Sequence, residues 1–136
     1  MIIVIPMENS IKVPYNEHMH FEHENWKSEL AFWKNDIRSF TNRLSTMVTR
    51  WPKEEVVKDL EYFQSEFVIF GAKIDDFEEA IEDHEANMAD HGQLENRALH
   101  IALTKQHAAY RMKMEKQRQK YTDLKKDFFR FLSKNS

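Results

Sequence analysis

Cysteine is missing from the chain, and glycine and proline are scarce, with two and three copies in 136 residues. Disulfides, thiolate metal sites and cysteine nucleophiles are therefore unavailable. So few glycines leave no glycine-rich loop to cradle a phosphate, and no strand-borne serine motif occurs, so nothing points to nucleophilic catalysis. The prolines are Pro6, Pro14 and Pro52, so the chain beyond Pro52 meets no helix breaker stronger than Gly71 and Gly92. Long apolar runs are lacking as well. The opening Met1 to Pro6 falls far short of the about 20 residues that span a bilayer, and it has neither a basic leader nor a small-residue cleavage site. A cytoplasmic protein is expected.

What the sequence does contain is helical periodicity. Residues 1–16 mix β-branched residues with two prolines and read as an extended N-terminal arm. A helical bundle is expected over 17–136, with helices at about 17–50, 53–88 and 92–134. The first stripe runs Met19, His23, Trp26, Leu30, Trp33, Ile37, Phe40, Leu44, Met47. The second runs Val56, Leu60, Phe63, Phe67, Phe70, Ile74, Phe77, Ile81, His84, Met88, and the third Asn96, His100, Leu103, His107, Tyr110, Met114, Gln117, Tyr121, Leu124, Phe128. Steps of three and four are the seam of coiled-coil-like packing. Short connections at Trp51-Pro52 and Asp90-His91 then give an all-α fold, an elongated antiparallel up-down-up bundle of three long helices. Four-helix alternatives arise if the third helix breaks near Thr104 or if two chains pair. Gly71 is read as a place where helices approach closely.

The seam is unusual in carrying histidines. Folding the helices at the two connections sets His23 opposite Ile81 and His100, with His84 one layer further out and His107 beside Leu30 and Ile74. All seven histidines then fall at one end of the bundle, with Glu17, Glu22, Glu24, Asp83, Glu85 and Glu95. Imidazole nitrogens and carboxylate oxygens from several helices are what a zinc, iron or manganese site needs. The candidate ligands are His23, His84 and His100, with His20 and Glu24 completing the shell. His107, next to Tyr110, is expected to make a structural hydrogen bond. The spacings of the well-known bundle sites are not met. A ferritin-like di-iron site needs two Glu-x-x-His pairs and only Glu17 to His20 provides one, and no His-x-x-x-His of the hemerythrin kind occurs.

Charge is divided between segments. Glu54 to Glu95 is acidic and Lys105 to Lys134 basic, with a net charge of -3 overall. That balance argues against nucleic acid as a partner, and the basic tract is expected to pair with Glu54, Glu55, Asp59, Glu61 and Glu66. Phe128, Phe129, Phe131 and Leu132 are expected to overhang the second helix and, with the arm, to mediate homo-oligomerisation or binding of a protein partner. The expected function is that of a non-catalytic structural or protein-interaction module. The alternative is a transition-metal-binding or metal-sensing bundle.

Overall fold

A computed structural model describes residues 6–50, 53–91 and 97–135, and for 6–16, 90 and 91 the backbone alone. The chain forms three helices, α1 (Pro6–Val48), α2 (Glu54–His91) and α3 (Arg97–Asn135), and the described residues include no strand. The all-α bundle expected from the periodicity is present. α1 starts at Pro6 instead of near residue 17, so the extended arm is corrected over 6–16, while residues 1–5 lie outside the described ones. Pro6 suits this start, because a first-turn residue needs no N–H donor and its ring presets a helical φ. The helix also runs through Pro14, whose missing N–H removes the backbone bond to residue 10. α3 continues through Thr104 without a break, which removes that route to a fourth helix. At the start of α2, Glu54 and Glu55 face the positive end of the helix dipole.

The three apolar stripes form the core. Leu30, Phe67, Phe70, Ile74, Phe77, Ile81, Met114 and Phe128 are essentially fully buried, and each side chain of this size contributes roughly 1.5–3 kcal/mol by leaving water. Contacts between α1 and α2 pair rising with falling residue numbers: His23 with Glu85, Lys34 with Asp75 and Glu78, Phe40 with Phe67. Contacts between α1 and α3 rise together: Glu22 with Arg111, Glu29 with Arg118, Asp36 with Lys125. Arg111, Arg118 and Lys125 of α3 thus find carboxylates on α1, while Lys116 and Lys120 line the same surface pocket as Glu66 of α2, and Arg130 and Lys134 the same one as Asp59.

Away from the histidine end the core is aromatic. Trp33 stacks on Tyr121 with centroids 5.2 Å apart, and the Tyr121 hydroxyl donates to the Asp36 carboxylate. Phe128 meets Phe67 edge-on at 5.0 Å and Phe63 at 5.3 Å, and Phe131 lies 5.2 Å from Phe63. The expected overhang is thereby corrected. Phe128 and Phe131 are buried against α2, Leu132 is half-buried against the same core, and Phe129 is the exposed member of the four. Gly71 is also corrected, because a Cβ placed there would meet nothing within 4 Å. No described helix is long and apolar enough to cross a membrane.

Candidate metal centre

His23, His84 and His107, one from each helix, are brought together in the interior and are each 1% exposed. His23 Nε2 lies 3.1 Å from His84 Nδ1 and 3.2 Å from His107 Nδ1. One nitrogen from each ring falls within 4.8 Å of the other two. The edge of a tetrahedron around an ion with metal–nitrogen bonds of 2.0–2.1 Å is about 3.3–3.4 Å, so the spacing approaches that of ligands sharing one ion.

Every outward nitrogen has a partner. His23 Nδ1 donates to Glu85 Oε1 at 2.6 Å, His107 Nε2 to Glu22 Oε1 at 2.8 Å, and His84 Nε2 to the Leu103 carbonyl at 3.1 Å. These three acceptors have no proton to give, so the tautomer of each ring follows from its partner. At Glu22 the hydrogen bond from Arg111 does most to hold the carboxyl down, to about 2. At Glu85 burial acts to raise the carboxyl, but the bonds from His23 and His20 outweigh it and the group stays below its ordinary value. Burial lowers His84 and takes His107 down to about 4, against the opposing pull of Glu22 on His107. Both imidazoles are therefore neutral near pH 7, with protons on the outward nitrogens and lone pairs directed inward.

The surroundings fix the rings in place. Trp26 stacks on His107 with centroids 4.9 Å apart and 22° between planes, and Tyr110 meets His84 edge-on at 5.3 Å. The histidine layer separates the main core from a small apolar cluster of Met19, Met88 and Leu103.

Of the residues singled out in the sequence, His23 and His84 belong to this group and His100 does not. His100 is half-buried two turns before His107 on α3. His20 is exposed and binds the second oxygen of Glu85 at 2.5 Å, and Glu24 lies 3.9 Å from His20 at the surface. Both stand outside the inner ring of nitrogens. His107, assigned a structural hydrogen bond from sequence, does make one to Glu22, but with its outward nitrogen only. The cause is register. Folding at Asp90-His91 would face His84 with Arg97, Phe70 with Arg111 and Phe63 with Arg118, whereas the contacts are His84 with His107, Phe70 with Tyr121 and Phe63 with Phe128. Each partner on α3 is thus ten residues later than that pivot gives, which brings His107 level with His84. Because a helical stripe repeats every turn, the slip leaves the same face inward, and a second imidazole was available on that stripe.

Comparison with protein-family models, with curated proteins and with solved structures gives no match, so the functional reading rests on the geometry of the site itself.

Proposed function

We propose that this protein binds one transition-metal ion through His23 Nε2, His84 Nδ1 and His107 Nδ1. The observation that carries this reading is the polarity of the cluster. Three imidazoles spend their outward N–H groups on two carboxylates and a carbonyl, and turn their remaining nitrogens toward one another at 3.1 and 3.2 Å. Three lone pairs at that separation repel in the absence of a cation. A proton on His23 Nε2 could bridge only one of the two contacts, and it would make that ring an imidazolium. One metal ion satisfies all three nitrogens. Donation of the second ring N–H to a carboxylate or backbone carbonyl is also the usual support for a ligating histidine, since it fixes the ring and strengthens the donor. An all-imidazole set suits zinc, copper, iron or nickel, and disfavours manganese, which prefers oxygen ligands.

With one ligand from each helix, the ion would tie the three helices together at this end. Protein purified without a histidine tag, analysed for metals and melted with and without chelator, tests the reading. One equivalent of metal is expected, with a melting temperature that falls on chelation. Ion at 100 times its dissociation constant stabilises by about 2.7 kcal/mol. A His107→Leu variant should lose both the metal and the response to chelator. No bound metal, and no shift on adding zinc or copper, would sink the assignment.

Action as a protein-interaction module is a second proposal, supported by the exposure of Phe21, Phe32, Val68 and Met112. Sedimentation at micromolar concentration tests it, and a purely monomeric species would count against self-association.

A further inference from the structure

Three imidazoles leave a fourth position on the ion, and the two sides of the histidine layer differ in what they offer it. Toward the main core lie the rings of Trp26 and Tyr110. An indole has no lone pair to give, and the Tyr110 hydroxyl is engaged by Gln106 at 3.2 Å. On the other side, Met19, Met88 and Leu103 form a buried cluster of their own. Each stands one turn from a ligand on its own helix: Met19 with His23, Met88 with His84, Leu103 with His107. The Leu103 carbonyl is already bonded to His84. The side-chain donors in this layer are therefore two thioether sulfurs. Helical side chains lean toward the N-terminus of their helix, so the rings of His23 and His84 lean in step with Met19 and Met88, and each sulfur stands about one turn from the ring on its own helix.

Resting on the three-histidine reading, we propose that the fourth ligand is a thioether sulfur of this layer, Met19 Sδ or Met88 Sδ, and that the site is a copper site favouring Cu(I) over Zn(II). The thioether is soft and polarizable and suits cuprous copper, whereas protein zinc takes thiolate, imidazole and carboxylate. Charge balance points the same way. Arg111 matches Glu22 with two hydrogen bonds, while the partners of Glu85 are the imidazoles of His20 and His23. One carboxylate thus remains to balance the ion, and a buried monocation costs less to desolvate than a dication.

Anaerobic titration with Cu(I) against bicinchoninate, and with Zn(II) against a zinc-binding dye, tests this on the full chain. Met19→Leu and Met88→Leu keep nearly the same apolar volume. One of the two should weaken Cu(I) binding by at least about tenfold, the scale on which even outer-sphere changes act, and leave Zn(II) binding unchanged. The copper X-ray absorption spectrum should contain a sulfur scatterer that the same substitution removes. If copper and zinc bind but neither substitution changes affinity or spectrum, the thioether assignment is overturned and the three-histidine site stands. If neither ion binds, both fall.

Discussion

The Glu85 carboxylate links a buried imidazole to a surface one: Oε1 accepts from His23 Nδ1 at 2.6 Å, and Oε2 lies 2.5 Å from His20 Nδ1. Glu85 therefore positions His23 and determines which of its nitrogens turns inward. Replacing Glu85 with Gln should weaken metal binding about 10–100-fold with little change in helicity, as loss of a partner behind a ligating histidine generally does. Isothermal titration of the variant, with circular dichroism to verify the fold, measures it. Full affinity in Glu85→Gln would mean that the carboxylate does not orient the ligand.

Acid should loosen the metal-free protein in a defined window. The folded state holds His107 down at about 4, against an ordinary value of 6.5, mainly through burial. A group depressed on folding contributes stability that is present above its unfolded pKa and is lost as pH falls toward the folded value. Glu22, held at about 2, stays ionised throughout that window. Melts of chelated protein should therefore lose stability between pH 6.5 and about 4, by up to roughly 3 kcal/mol from His107, and His84 is shifted in the same direction. A constant melting temperature from pH 7 to 4.5 would contradict the burial of these rings.

Gly71 lies inside α2 with open space where a Cβ would be. Gly71→Ala should raise stability by about 0.5–1 kcal/mol, because alanine loses less backbone entropy on entering a helix. Chemical denaturation reads the change directly. Destabilisation would mean that the position is more crowded than the structure indicates.

At the far end, Phe128 is buried among Phe40, Phe63, Phe67 and Phe131. Phe128→Ala should cost about 3–5 kcal/mol through lost burial and the cavity left behind. Urea unfolding of the metal-free variant isolates this effect from the metal site. A cost near zero would show that α3 is not packed there as described.

Nearly every position on the three stripes is legible from periodicity. Met19 through Met47 in α1 and Leu60 through Met88 in α2 point inward as their spacing requires, with Phe40 half-buried. The polar members follow the same rule, and His23 and His84 were recognisable as interior histidines from their place between leucines, tryptophans and isoleucines. Asn96 lies outside the described residues. Residues 6–16 depart from this rule, since β-branched residues and two prolines favour an extended chain by local preference and the backbone is nevertheless helical.

Sequence alone determined that the chain is helical, which face of each helix is buried and that imidazoles share one end of the bundle. These follow from a repeat of 3.6 residues per turn and from the breaker near residue 52. Only the tertiary structure decided which imidazoles meet. A stripe looks the same after sliding by whole turns, so facing partners depend on how α3 is set along α2, and that setting brings in His107 in place of His100. The hydrogen bonds of Glu22, Glu85 and Leu103, which turn three nitrogens toward a common point, connect residues at least 19 positions apart in the chain and exist only once the helices are packed.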